Sequence, residues 1–382
     1  MSELVINRTA RADQHKQLLT TVSALALVSY IGTTGIACAE DADRPTVWVE
    51  LGGQMEAMQG VSTPFTAPFM SANSPTPGPY ANNIFTDTQR PAHLAFGLDG
   101  SAIFQPKGSD WLFSVSVRYG RSSTNRHSHQ QSPHVTHAYL INFGAGGAAS
   151  AAAFADTKLA YDESHMILDF SAGKDVGLGV FGRGGTSTIS AGVRFAQFSN
   201  ASKITAIGRP EVDVGLVGYR RYATSFYNYT MFAQAARSFH GIGPSLSWNA
   251  STTLLGNKDA GRLTFDWGIN GAVLFGRQKA KATHSTQEYH LPLTQAYGGI
   301  YDRYYYTRVY RTSHQHTRSR GVTVPNLGGF AGLSVRYPNA KFSLGYRADF
   351  FFGAVDAGID ERHSKNLGFN GPYASISIGL GG

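Results

Sequence analysis

One cysteine, Cys38, stands in 382 residues. With no second thiol, no disulfide framework and no thiolate metal site can form. Acidic excess is also missing: 33 Lys and Arg stand against 25 Asp and Glu, for a formal net charge of +8. That surplus is modest and its arginines are scattered, so it is no nucleic-acid footprint, although it can favour anionic solutes or lipid phosphates. Beyond the first forty residues there is no apolar run of the length a membrane helix needs. A chain of this kind that enters a membrane must do so through strands.

The amino end has the parts of an export signal. Arg8, Arg11 and Lys16 form a basic region, an apolar run extends from Leu18 to Ile36, and Ala37-Cys38-Ala39 is a small-x-small cleavage pattern. Cleavage is expected before Glu40, leaving residues 40–382 as one domain. Thr, Ser and Gly interrupt the run, which argues against a membrane anchor. Gly35-Ile36-Ala37 lacks the bulky aliphatic of a lipoprotein site at Cys38.

What the chain does have is alternation. Leu263, Phe265, Trp267, Ile269, Val273 and Phe275 interleave with Thr264, Asp266, Gly268, Asn270 and Ala272. A strand sends successive side chains to opposite faces. This segment therefore has one greasy face and one small or polar face, over the ~9–11 residues that a tilted strand needs to cross hydrocarbon. The same period marks residues 46–54, 92–105, 111–119, 165–174, 187–198, 327–337, 342–352 and 373–380. Less clear are a Gly/Ala tract at 144–153 and segments at 222–237 and 241–253, with Gly243-Pro244 as a boundary or bend. Residues 200–221 suggest a loop or a short extra strand. The pattern predicts an all-β fold, a transmembrane antiparallel β-barrel of about twelve strands (ten to fourteen). Long external loops are expected at 56–91, 121–137 and 278–324, with short periplasmic turns at the other end and an even strand count.

Alternation assigns Asp99, Arg118, Asp169, Arg194, Asp266, Arg336, Arg347 and Asp349 to the lumen face. Charges of both signs either line a wet pore or plug a narrow one, and a barrel near twelve strands favours the wet pore. The stretch from Tyr297 to Arg320 is rich in Tyr and Arg. Arg303, Arg308 and Arg311 there suit an anion-favouring loop that folds into the pore or grips lipopolysaccharide. The alternative is a strand extending past the membrane with its aromatic girdle. His127, His129, His134 and His137 have alternating spacing but no carboxylate among them, so a solvated loop outweighs a metal site; His314 and His316 raise the same question. No Gly-x-Ser-x-Gly elbow is present. His240 and Ser245 are the closest pair for hydrolysis, and catalysis is not expected.

Five stretches stand out: Leu168-Asp169-Phe170-Ser171-Ala172-Gly173, Ala191-Gly192-Val193-Arg194-Phe195-Ala196, Phe239-His240-Gly241-Ile242-Gly243-Pro244, residues 344–351 and Gly371-Pro372-Tyr373. Together they resemble the Legionella-type major outer-membrane protein family of pore-forming barrels. The chain departs from many such barrels by ending Gly381-Gly382 rather than on an aromatic. The resemblance implies a single water-filled pore in the bacterial outer membrane, without catalytic residues or cofactor. Its partners would be outer-membrane lipid and lipopolysaccharide, small hydrophilic solutes and, as in many porins, further copies in a homo-oligomer, but not nucleic acid. The expected function is passive diffusion with weak anion preference. A structural or adhesive barrel whose long loops bind surface partners is the alternative, and an outer-membrane hydrolase the third.

Overall fold

The computed structural model describes residues 46–59, 94–131, 135–137, 149–151, 154–176, 186–209, 212–216, 222–257, 261–292, 308–358 and 361–380. The expected signal, Arg303 and the terminal glycines lie outside them. Thirteen strands are described: β1 (Val47–Gln59), β2 (Leu94–Phe104), β3 (Trp111–Gln131), β4 (Val135–His137), β5 (Ala149–Ala151), β6 (Phe154–Asp175), β7 (Thr186–Arg209), β8 (Val212–Leu216), β9 (Tyr222–Asn257), β10 (Gly261–Pro292), β11 (Arg308–Arg336), β12 (Ala340–Asp356) and β13 (Ser364–Leu380).

Ten of them close a barrel. The order is β1-β2-β3-β6-β7-β9-β10-β11-β12-β13, and β13 pairs back onto β1. Every contact is antiparallel, so the chain is a meander with no sheet edge left open through the wall. The first and last strands close in register, Val47 opposite Leu380 and Gln54 opposite Tyr373. β8 pairs with the outer stretch of β9, and β4 with β5 apart from the barrel.

Ten strands fall within the expected range but below the expected twelve. Of residues 144–153, the described ones form β5, outside the barrel sheet. Residues 222–237 and 241–253 belong to one 36-residue strand. Gly243-Pro244 does not divide it. Ala272 faces Ser245 and Phe275 faces Ile242 in one register, with the ladder skipping the step where proline has no N–H to donate. A Cβ at Gly243 would lie 1.9 Å from the Val273 carbonyl oxygen, so the two backbones approach too closely there for a side chain.

Two expected loops, 121–137 and 278–324, are largely strand, and the third, 56–91, lies outside the described residues beyond Gln59. β3 runs to Gln131, and most of 278–324 forms the outer parts of β10 and β11, 32 and 29 residues long. Residues 200–221 continue β7 to Arg209 and then form the short β8. Arg308 and Arg311 therefore sit in a strand, as the alternative reading had it, although their side chains lie outside the description.

The outer surface carries the predicted apolar belt. Phe96, Leu98, Leu255 and Leu344 are each more than 60 % exposed. On β10 the belt runs from Phe265 to Phe275 and on β12 from Phe342 to Phe352. Both cover about the length needed to cross hydrocarbon. At one end, strands join through short turns, with Ser109 N–H donating to the Pro106 carbonyl (3.1 Å) and Tyr337 N–H to the Ala340 carbonyl (2.7 Å). Gly108 takes φ +71° in the first of these, a left-handed position that glycine fills without strain. The first described strand begins and the last ends at this same end, Val47 opposite Leu380. Among the described residues no helix is long and apolar enough to cross a membrane.

Candidate functional site: the filled lumen

Of the eight charged residues assigned inward by alternation, seven form ion pairs inside the barrel, between neighbouring strands or across the lumen, and Arg336 is the exception. Asp169 on β6 and Arg194 on β7 form a two-pronged ion pair, Nε to Oδ1 at 2.6 Å and a terminal nitrogen to Oδ2 at 3.0 Å. Arg194 also donates to Asn270 on β10 (2.7 Å) and to Asn326 on β11. Arg118 on β3 reaches Asp349 on β12, four strands away round the wall. Arg347 lies 3.5 Å from Asp99 and 4.8 Å above the Tyr373 ring. Asp266 accepts hydrogen bonds from Ser251 (2.6 Å) and Ser334 (2.7 Å) and pairs with Lys341 (2.6 Å). Arg336 is half-buried on the same level as this group.

Burial decides what this lattice is. Asp349 is 1 % exposed and Arg194 5 %. Charges lining a wide aqueous bore would be solvated, whereas the members of these pairs keep 20 % or less of their side-chain surface exposed. Removing one member would strand its partner in a dry interior.

Toward the long-loop end the lumen becomes apolar. Phe198 of β7 stacks with Phe239 of β9 (ring centroids 5.6 Å apart). It meets Phe351 of β12 edge-on at 4.6 Å and Phe369 of β13 at 5.7 Å. Since β7 and β13 are five strands apart in a ten-strand ring, the last contact spans the full bore. Met58, Ile167, Leu274, Val324, Val355 and Leu367 complete this core. His165 packs on Phe369 at 4.1 Å and faces Glu56 at 3.4 Å. The cavity beside Phe198, Asn200, Arg237 and Phe369 measures about 10 Å³, barely room for a single water.

The expectation of a wet lumen rested on a twelve-strand bore. At ten strands, a little above the size that side chains alone can fill, large inward aromatics reach one another. Alternation had marked these positions without their being recognised. Phe198 shares its parity with Arg194, and Phe351 is the inward member of Phe350-Phe351-Phe352, a run of three that breaks the alternation.

Outside the membrane belt, Asp356 ends β12. Its Oδ2 accepts from Arg318 (2.8 Å) and its Oδ1 from the N–H groups of Gly358 (3.1 Å) and His363 (3.0 Å). Burial pushes this carboxyl up, and the three donors outweigh burial and hold it below the usual range. On the outer face of β3, His127 and His129 converge on Asp156 of β6, at 2.9 and 3.4 Å. This carboxylate, 27 residues beyond His129, carries no local sequence signal, because only strand pairing brings it there. Hydrogen bonding to His127 lowers its pKa. Among the described residues no three His, Cys, Asp or Glu side chains form a group that could hold a metal ion. His240 is exposed on the outer face of β9, and Ser245 has the opposite parity, so this pair is not brought together.

Fold and belt define a transmembrane β-barrel of the outer-membrane type. Compared with known proteins, the chain matches no family model and no curated protein, so no family is assigned. Solved structures with some likeness include the transport unit of the autotransporter AIDA-I from Escherichia coli, at 7 % identity, 93 % of this chain, 97 % of that one and a TM-score of 0.22. The CymD monoaromatic hydrocarbon channel has 10 % identity, coverage of 89 and 90 % and a TM-score of 0.21. For the P. putida toluene transporter TodX the values are 10 %, 90 and 91 %, and 0.19. At these scores the likeness carries no argument, and the barrel is read from its own strand pairing.

Proposed function

We propose that this protein is a sealed outer-membrane barrel that works through its long surface-exposed strands, a structural or adhesive role. One observation carries the reading: the lumen is crossed by packed aromatics and buried ion pairs, and a cavity beside the aromatics is only about 10 Å³. The strand lengths support it. β9, β10 and β11 have 36, 32 and 29 residues, against the ~9–11 required for crossing, so much of the paired backbone stands outside the membrane.

The second reading is the passive pore for small hydrophilic solutes that the family resemblance implies. The charged, polar lower lumen favours it. This reading requires the plug to move, and Arg303, Arg308 and Arg311 would then bias the open state toward anions. Recording purified protein in a planar bilayer separates the two. The sealed barrel gives no stepwise conductance. Frequent, stable steps would refute it, and a reversal potential that shifts when the three arginines become Gln would assign them the selectivity.

A further inference from the structure

The outer faces of β9, β10 and β11 change character just beyond the apolar belt. Phe275 is the last exposed apolar residue of the belt on β10. Arg277, Lys279 and Lys281 follow on the same face, and all three are exposed. Alternate positions put them about 6.6 Å apart along the strand. Their inward neighbours, Gln278, Ala280 and Ala282, are buried, so the cations are held outward by the register.

Their lateral neighbours leave room around them. Toward β11, Arg277 faces Gly321, Lys279 faces Ser319 and Lys281 faces Thr317. Toward β9 the partners are His240, Ser238 and Ala236. Apart from His240 these are small and uncharged, so the three long side chains rise from a low floor. Lys203 on β7 adds a fourth exposed cation, its Nζ 5.5 Å from the Phe232 ring. Residues 197–207, 231–240, 277–287 and 313–323 contain no Asp or Glu. No salt bridge joins Arg277, Lys279, Lys281 or Lys203 to an acid among the described residues.

We infer that Arg277, Lys279 and Lys281 form a binding surface for the phosphorylated glycolipid headgroups of the outer leaflet. The inference rests on the outer-membrane reading, which places the long-loop end outside. The belt then fixes the depth: acyl chains lie against Phe265–Phe275, and phosphates at the headgroup level meet the cations directly above. A soluble polyanion would need no apolar belt beneath the charges. A protein partner would more often meet charges of both signs.

Each cation at such a surface contributes about fivefold to affinity, hence roughly a hundredfold for three. The test uses full-length protein in neutral-lipid nanodiscs and fluorescent bis-phosphorylated lipid A as probe. Wild type binds this probe in preference to its dephosphorylated form, and binding weakens as salt rises. R277Q/K279Q/K281Q loses roughly a hundredfold, whereas K174Q, exposed at the short-turn end, changes nothing. Acetylating the lysines of folded wild type in place, which leaves Arg277 charged, gives the share of the loss due to Lys279 and Lys281, roughly twenty-five-fold, without any folding step. Equal binding by wild type and triple variant overturns the inference. So does displacement of the probe by millimolar inorganic phosphate at unchanged lipid preference, which would mark a soluble-anion site. Silent bilayers or conducting ones leave this assay untouched, so its failure and that of the sealed-barrel reading are distinguishable.

Discussion

Phe198→Ala should open the apolar seal, and the size of the effect follows from the packing. The ring is 2 % exposed and touches Phe239, Phe351 and Phe369. Phe→Ala in a packed interior costs about 3–5 kcal/mol. Three aromatic partners, each adding about 0.5–1.5 kcal/mol beyond area burial, place this site toward the top of that range. The void left is on the order of 100 Å³, enough for about three waters, beside a cavity that holds at most one. Water then gains a path from the long-loop end to Ala196, one inward position below and 0 % exposed. Since Cys38 is the only cysteine, a Cys38→Ser background gives a clean reporter. Ala196→Cys should resist a small methanethiosulfonate reagent added to the folded barrel, and should react once Phe198→Ala is added. Urea unfolding in detergent measures the accompanying loss. Reaction at the same rate with and without Phe198, or a stability loss under about 1 kcal/mol, would refute the argument that this ring seals the lumen.

Further outcomes concern the charges and the tight backbone contact. Asp169→Asn leaves the Arg194 guanidinium buried without its counter-ion and should cost about 3–5 kcal/mol in urea unfolding, while D169N/R194Q should lie closer to wild type. The Asp156 carboxyl is lowered, so the stability it contributes is fully present above its unfolded value of 3.8 and is lost as pH falls through the lowered value. A carboxyl-resolved NMR titration should show it returning upward in His127→Ala. Gly243→Ala forces a Cβ to 1.9 Å from a carbonyl oxygen and should block assembly, read as loss of the heat-modifiable band on a gel. Gly108→Ala, with nothing within 4 Å, meets only the left-handed penalty of about 1–2 kcal/mol.

Within the membrane belt, the fold was legible because two solvents act on one strand. Lipid outside and a tight interior inside sort most of Leu263 to Phe275, Phe342 to Phe352 and Ala374 to Leu380 into alternation, and the inward parity of Asp99, Arg118, Asp169, Arg194, Asp266, Arg336, Arg347 and Asp349 follows from it. Above the belt one of those solvents is gone. The outer face of β10 turns from Phe275 to Arg277, Lys279 and Lys281, and the two-period vanishes from hydropathy while the backbone ladder continues. A 32-residue strand therefore reads as a strand followed by a polar loop. The plug was hidden for a different reason. Parity tells which way Phe198, Phe351 and Phe369 point, but whether they meet depends on bore width, and the difference between ten and twelve strands decides it.

Strand length also gives the rim a direction. Six neighbours in the ring, β3, β6, β7, β9, β10 and β11, have between 21 and 36 residues, whereas β12, β13, β1 and β2 have between 11 and 17. Among the described residues, which leave out the 60–93 connection between β1 and β2, the rim is thus a tall parapet on one side and a low sill on the other. Met58, Phe351, Leu367 and Phe369 all belong to the sill. A peptide grafted beyond Pro292 would sit roughly 55 Å along the strand from the end of the belt, at about 3.3 Å per residue, mechanically remote from the seal. One placed between β12 and β13, after Ala357, would press directly on it. Surface variation can accumulate on the parapet without disturbing the membrane's permeability barrier, and the sill is where the two are coupled.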